Sequence, residues 1–475
     1  MTTTRTPARP DAGPPDDAAR TSLWSALHPL LLRLHFYAGV LVGPFLLVAA
    51  TTGLLYTTTP QLETVVHAQE LVVDEVGTRP RALDEQLAAA REAHPEGRVT
   101  EIRPAATPDG TTRVVLAVDD VPEGRGRTVF VDPYTLEVRG ALTTAGEWLP
   151  VRWYLDDLHR NLLLGEPGRV YSEIAASWLW VVVLAGVAMW VARSARRGRL
   201  RRLVVPETAA RGRRRLLSWH GVVGLVVAVG LLGLSATGLT WSARAGANIG
   251  ELRESLGWIT AAVDTTIDEP TGGGGGHVHG AGEGAAADVP LSGVGSVHAV
   301  AQADGLRDPV RIVPPAGDGQ AWTVAETTRS WPTQADTIAV DGATGEVVDR
   351  VDFADQHLAA KLTRWGIDAH MGLLFGVVNQ LVLAALAIGL ITLVVLGYRM
   401  WWARRPTRSP GFGPGPWLPP GGLRRAPRVL AVLVVGVAAV VGWFVPLLGV
   451  PLLGFLLVDV LLAVRARRRR EVSRA

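Results

Sequence analysis

The sequence predicts an α-helical membrane protein. Its four-helix core would be a duplicated unit of span, extracytoplasmic α+β domain and span, followed by a C-terminal two-helix hairpin. Three observations lead to this fold class: apolar runs of membrane-spanning length, arginine clusters that flank them, and an internal repeat. A run of about 20 apolar residues is needed to cross the hydrocarbon core of a bilayer. The 475 residues are long enough for several such spans and two small domains.

The elements follow one another in a regular order. The first 28 residues form a polar, proline-rich tail. The apolar run after it exceeds the about 7–15 residues of a signal-peptide core, so we expect a retained span. The predicted spans are 29–57, 158–192 with its leading histidine segment, 216–241 and 369–402, and the hairpin is 429–464. The predicted segments between and after them are 58–157, 193–215, 242–290, 291–368, 403–428 and 465–475.

The arginine clusters predict the orientation in the membrane. They lie at 193–202, 211–215, 403–408 and 465–470, whereas the long soluble segments have mixed charge. Cytoplasmic loops carry an excess of arginine and lysine, so both termini are expected in the cytoplasm and both domains outside the plasma membrane. The formal net charge of +3 then reflects topology, and no nucleic-acid partner is predicted.

The internal repeat relates the two halves of the chain. DLHRNLLLG at 157–165 aligns with DAHMGLLFG at 368–376, an offset of 211 that continues through the following span. An offset of 185 places His35 over His220 and Thr52 over Thr237, and VDPYTLEV at 131–138 corresponds to VDGATGEV at 340–347. Each copy has two spans, so the copies have the same orientation and should be related by an axis along the membrane normal.

The soluble part of each copy predicts a small α+β domain. Residues 83–95 and 291–305 have helical character, and strand-like runs with hairpin turns follow each of them. One helix on a three- or four-stranded antiparallel sheet is expected in each domain. The glycine-rich linker within 264–290 cannot hold regular structure.

Four histidines occupy equivalent positions in the two copies. His35 and His220 begin spans at the predicted cytoplasmic face, and His159 and His370 precede spans at the outer face. Histidine pairs from facing helices hold b-type haem without covalent attachment. For a single interfacial histidine, an anchor in the headgroup region is the better explanation. Two anchors at the same depth in both copies would be needed to explain the pairs, so the duplication favours ligation.

Other features are less informative. Gly39, Gly43, Gly221 and Gly224 follow the first histidine of each copy, and they indicate either room for a flat macrocycle or ordinary close packing. An unbroken helix from His370 to Trp401 would be about 46 Å long and would put His370 beyond the lipid, unless the helix is broken or tilted.

Few other cofactor sites are predicted. His277 and His279, in the glycine-rich linker, make at best a weak metal site. The chain has no cysteine, which excludes disulfides, Cys-ligated zinc, iron–sulfur clusters and haem c attachment. No glycine-rich nucleotide motif is present, so no nicotinamide, flavin or ATP site is predicted.

The repeated elements resemble a known family. LHFYAGVLVGPFLLVAATTGLLY, WHGVVGLVVAVGLLGLSATGL, DLHRNLLLG and the VDPYTLEV hairpin are similar to the PepSY-associated transmembrane family, over roughly 28–402. That family includes iron-regulated membrane proteins and ferric-siderophore reductases. The resemblance implies PepSY-like domains at 58–157 and 291–368 and one or two b haems. The same four histidines would be the haem ligands.

The resemblance also implies two alternative functions. One is an oxidoreductase that takes electrons from a cytoplasmic flavoprotein or the quinone pool and reduces a ferric chelate, such as a ferric siderophore, during iron acquisition. The other is a non-redox, membrane-anchored regulatory protein whose PepSY-like domains bind a peptidase or another partner protein.

Overall fold

The membrane-embedded part is a bundle of long helices. The computed structural model describes residues 23–196, 200–267, 291–404 and 428–472. Three helices in this part of the chain are long and apolar enough to cross a bilayer. They are α7 (Glu166–Ala195), α8 (Gly212–Thr240) and α12 (Gly376–Trp402). The chain is therefore a membrane protein in contact with lipid.

Two further helices, joined at a bend, form a fourth candidate span. Helices α1 (Leu23–Leu41) and α2 (Gly43–Tyr56) pass the length and hydropathy criteria only together, and they are bent by 58°. Pro44 in the first turn of α2 has no N–H and cannot bond the carbonyl four residues back, so the helix breaks here. The freed carbonyl of Val40 accepts a hydrogen bond from the Tyr398 hydroxyl at 2.6 Å.

The remaining helices are short or lie at the C-terminus. They are α3 (Thr59–Val66), α4 (Ala68–Leu71), α5 (Leu83–Ala93), α6 (Pro150–Asn161), α9 (Arg244–Ser255), α10 (Val294–Ala303), α11 (Leu358–His370), α13 (Arg428–Phe444) and α14 (Pro446–Val472). The apolar parts of α13 and α14, Val432–Phe444 and Pro446–Leu462, fall in the range of 10–17 residues. The Trp178 indole on α7 donates to the Leu447 carbonyl at 3.1 Å, which fixes this hairpin against the bundle.

Outside the bundle, the two copies build a single sheet. Its strands are β1 (Arg98–Arg103), β2 (Thr112–Ala117), β3 (Gly126–Val131), β4 (Val138–Thr144), β5 (Val310–Val313), β6 (Trp322–Glu326), β7 (Thr337–Val340) and β8 (Val347–Val351). The order is β4-β3-β2-β1-β5-β6-β7-β8, and every neighbouring pair is antiparallel. Ile102 and Ile312 face each other where the copies meet, and both are fully buried.

The predicted fold class is wrong about the sheet and about the number of unbroken spans. We expected an α-helical protein with two separate α+β domains, whereas the described residues are 58% helical and contain one eight-stranded antiparallel sheet. The described residues contain three unbroken candidate spans and one bent pair, where six spans were expected. An open sheet edge is a liability, and pairing β1 with β5 covers one edge of each half. This pairing joins residues about 200 positions apart, so no local sequence pattern reports it.

The sheet has an apolar face and a polar face. Helices α5 and α10 cover the apolar face, where Leu87 and Val297 pack with the central strands. The carboxylate of Asp84 on α5 accepts hydrogen bonds from the N–H groups of Gly293 and Gly295, at 2.7 and 3.1 Å. One copy thus caps the helix of the other. Because side chains alternate along a strand, the charged residues of β1 and β2 point the other way, towards the membrane helices.

Candidate functional site

His159 and His370, which we call the sheet-side pair, lie at the end of the bundle nearest the sheet. His159 is in the last turn of α6 and His370 is the last residue of α11. The His159 Nδ1 is 2.9 Å from the Thr52 hydroxyl oxygen, and the His370 Nδ1 is 2.6 Å from that of Thr237. The two threonines are themselves related by the repeat, so the copies build the same contact twice.

A break after each short helix brings these histidines down to the spans. Leu162, Leu163 and Gly165 have positive φ in the turn between α6 and α7, and Gly372 and Gly376 do so between α11 and α12. The chain therefore reverses instead of continuing as one helix. The sequence placed His370 beyond the lipid only if the helix from His370 to Trp401 were unbroken. The helix is broken in the structure, so that condition is not met.

The sheet-side pair opens onto a cavity of about 490 Å³. Cavities of this size hold cofactors and small ligands. Its walls are largely small and apolar, and both histidines line it. The alanines and glycines of the lining are Ala49, Ala50, Gly53, Ala175, Ala176, Gly238, Ala243 and Ala387. The charged lining consists of Arg160, Arg169 and Arg329 together with Asp156 and Glu173. Each of the three arginines also forms an ion pair with a carboxylate.

Charged residues link the cavity to the polar face of the sheet. The guanidinium of Arg329 donates to Glu147 at 2.7 Å and to the fully buried Asp368 at 2.8 Å. The Trp148 ring lies between the guanidinium groups of Arg329 and Arg152, at 4.9 and 3.9 Å from its centre. Burial alone would raise the pKa of the Glu147 carboxyl, but the neighbouring arginines, Arg329 first, hold that pKa below its usual value.

A second buried carboxylate has the opposite shift. Glu63 on α3 accepts a hydrogen bond from the Leu149 N–H at 3.1 Å and lies 3.8 Å from Arg152. Burial raises the pKa of the Glu63 carboxyl to about 7, although the charge of Arg152 acts against it. Glu63 therefore changes charge near neutral pH.

His35 and His220, which we call the loop-side pair, lie at the other end of the bundle. Their ring centres are 6.1 Å apart and the rings are nearly perpendicular, at 81°. The His35 Nδ1–H donates to the Val182 carbonyl at 2.9 Å. The repeat-related carbonyl, of Leu393, interacts with His220, although the His220 Nδ1 makes no hydrogen bond of good geometry.

The ring separation of the loop-side pair is short enough for the two imidazoles to share one metal atom. A metal bound by imidazole lies about 2 Å from the nitrogen, and this nitrogen is about 1 Å from the ring centre. Two imidazoles that bind the same metal can therefore have ring centres up to about 6 Å apart. The observed 6.1 Å is close to this limit, so sharing would require both rings to turn a nitrogen towards the metal.

Comparison with known proteins identifies the family to which the chain belongs. Residues 32–404 match the PepSY-associated TM region. The chain belongs to this PepSY-associated family. The matched region contains all four histidines and ends before α13 begins. No curated protein matches the chain.

In this PepSY-associated chain, the glycines that contact the histidines differ from those that the sequence singled out. A Cβ at Gly53 would lie 3.1 Å from His159, and one at Gly186 would lie 2.9 Å from His35. By contrast, Gly43 packs against Tyr398 and Gly221 against Trp190, so these two serve helix packing. A Cβ at Gly39 would meet nothing within 4 Å.

Sequence reasoning missed several residues of the site. Thr52 and Thr237 were recognised only as repeat matches, and so was Gly53, which is matched by Gly238. A hydroxyl repeated at the same place in two apolar runs was the available signal. Arg329 and Glu147 gave no such signal, because their partners are distant in the sequence, whereas Asp368 is matched by Asp157 in the repeat. His277 and His279 lie outside the described residues.

Proposed function

We propose that this protein carries electrons across the plasma membrane through b-type haem and delivers them to a ferric chelate outside the cytoplasm. One haem would be held by His35 and His220 and a second by His159 and His370. The observation that carries the proposal is the paired arrangement of imidazoles at both ends of one helix bundle. The 6.1 Å between the loop-side rings and the cavity between the sheet-side histidines support it.

The residues present suit this cofactor. Bound haem supplies an iron that exchanges one electron at a time. Each pair would supply two neutral imidazoles, from different helices, to hold the haem iron, as in bundles that bind b haem. At the sheet-side pair, small side chains leave space for a flat macrocycle, and Arg160, Arg169 and Arg329 offer partners for carboxylates.

The direction of transfer follows from the arginine clusters. The positive-inside rule puts the loops at 193–215 and 403–408 in the cytoplasm, and the sheet then lies outside. The loop-side pair would accept electrons from a cytoplasmic flavoprotein or from quinone. His220 and Thr237, which contacts the other pair, are 17 residues apart on α8, or about 26 Å. Electrons would leave near the arginine-lined cavity, where a ferric chelate could approach.

A visible spectrum tests the cofactor. We expect protein purified from cells supplied with haem to show a b-type reduced-minus-oxidised difference spectrum. His220→Ala should remove the part due to one haem and His159→Ala the part due to the other. His94→Ala is the control, since His94 lies at the end of α5 in the sheet region. A colourless wild-type protein would refute the proposal and favour the non-redox regulatory alternative.

The acceptor needs a separate experiment. Protein reduced with dithionite, and freed of excess reductant, should be reoxidised under anaerobic conditions by a ferric siderophore. Gallium held in the same chelator is the matched control, because gallium(III) has the size and charge of ferric iron but is not reduced. If haem is present and stays reduced with the ferric chelate, electron transfer remains supported and the ferric acceptor is refuted.

A further inference from the structure

Two threonine side chains contact the sheet-side pair from within the spans. Thr52 on α2 is only 7% exposed, and its hydroxyl lies against the His159 ring. Thr237 on α8 makes the same contact with His370. Both contacts involve the ring nitrogen Nδ1.

The hydroxyls can serve a helix carbonyl and a histidine at the same time. A threonine hydroxyl has one hydrogen to donate and two lone pairs to accept with. The Thr52 hydroxyl is within donating distance of the Val48 carbonyl at 2.9 Å, and the Thr237 hydroxyl of the Gly233 carbonyl at 2.8 Å. A hydroxyl that gives its hydrogen to the carbonyl accepts from the imidazole. In that arrangement the proton of the neutral imidazole is on Nδ1, and Nε2 has a free lone pair.

In the loop-side pair, His35 has the same tautomer for a different reason. A carbonyl oxygen can only accept, so the contact with Val182 places the His35 proton on Nδ1 as well. The acceptor there is main chain, whereas at the sheet-side pair it is a side chain. Substitution can therefore remove the acceptor at the sheet-side pair alone.

We propose that Thr52 and Thr237 are positioning residues that hold His159 and His370 with Nε2 free to bind a metal, and that they set the ferric–ferrous balance of that metal. This inference rests on the proposed haem site. Hydrogen bonding from the far nitrogen of a ligating imidazole fixes its orientation and makes it a stronger donor. A stronger donor favours ferric iron, so the two hydroxyls keep the potential of the sheet-side haem low.

The expected effect has a definite sign. Loss of an outer partner of a metal-ligating histidine costs about 10–100-fold in metal affinity. If ferric iron loses affinity about tenfold relative to ferrous iron, the midpoint potential rises by about 59 mV for a one-electron couple. The Ala49 carbonyl also interacts with His159 and can replace part of the lost contact. The rise should therefore be larger for Thr237→Val than for Thr52→Val.

Potentiometric titration of the purified full-length protein is the test. Thr52→Val and Thr237→Val keep the side-chain shape and remove the acceptor, whereas Thr52→Ser and Thr237→Ser retain a hydroxyl. Thr51→Val is the matched control, since that exposed hydroxyl bonds only the Leu47 carbonyl in the same helix. We expect a higher potential for one haem, or loss of that haem, in the valine variants and near wild-type behaviour in the serine variants and the control.

Each of the other outcomes refutes the role of the threonines, and one of them also refutes the proposed function. Haem present with wild-type potentials and haem content in both valine variants would overturn the role of the threonines and leave the proposed function intact. Loss of haem to the same extent in Thr51→Val would overturn it too, because the effect would not depend on the histidine contact. Wild-type protein without haem would overturn both.

Discussion

At the scale of the residue, several polar side chains near the sheet-side pair are held by partners on other elements. Thr52 and Thr237 use one hydroxyl each for a helix carbonyl and an imidazole. Asp368 is fully buried but is bound by Arg329 and Arg364. A buried charge is costly unless it is paired, so these contacts constrain how the sheet can sit on the helices.

Glu63 gives a prediction about pH. Its pKa, raised to about 7 by burial, means that the folded protein binds a proton that the unfolded chain has released. This contribution to stability is complete below the ordinary pKa of a glutamate and is lost as the pH rises through about 7. Glu63→Gln keeps an acceptor for Leu149 and does not ionise. The unfolding temperature of Glu63→Gln, relative to wild type, should therefore rise between pH 5 and pH 8.

The control for this experiment is Glu92→Gln, which removes one carboxylate from the exposed surface of α5. All variants should be heated at the same rate in the same detergent, because membrane proteins often unfold irreversibly. If the difference between Glu63→Gln and wild type is the same at both pH values, Glu63 does not titrate in this range.

At the scale of the element, breaks between helices decide where the histidines lie. Pro44 predicts the bend between α1 and α2, and this could have been inferred from the sequence. The turn after α6 could not, since Leu162 and Leu163 adopt positive φ, a conformation that leucine rarely takes. The resulting reversal is imposed by tertiary contacts, such as that of His159 with Thr52, and local propensity does not report it.

The turn after α11 gives a second prediction. Gly372 has φ +77°, and a Cβ there would lie 3.2 Å from the side chain of Gln380. Gly372→Ala should lower the free energy of unfolding by about 1–3 kcal/mol, the usual cost of holding a non-glycine residue in this conformation. Gly250→Ala is the matched control. Gly250 lies inside α9 with open space around a Cβ, so alanine should stabilise by about 0.5–1 kcal/mol.

Thermal unfolding of Gly372→Ala, Gly250→Ala and wild type in one experiment measures both the expected destabilisation and the expected stabilisation. A similar change in both would mean that the turn is not held in the left-handed conformation.

At the scale of the whole molecule, the duplication determined how much could be predicted. It identified His35, His159, His220 and His370 and their grouping into two pairs, because residues at equal places in two parallel copies come to the same depth. It did not reveal the β1–β5 pairing or the cap that Asp84 provides for α10. Those contacts join the copies to each other, and a repeat reports only what is common to each copy.

The orientation of the whole molecule gives the last prediction. The chain has no cysteine, so a single introduced thiol has no background. Ser292→Cys lies at an exposed position before α10 on the sheet side, and Thr208→Cys is exposed on the loop side. Exposed thiolates react with maleimides. In right-side-out membrane vesicles, a membrane-impermeant maleimide should label Ser292→Cys and leave Thr208→Cys unmodified until detergent is added. Labelling of Thr208→Cys alone would show that the orientation is the opposite one. In the proposed function, electrons would then have to enter from the sheet side.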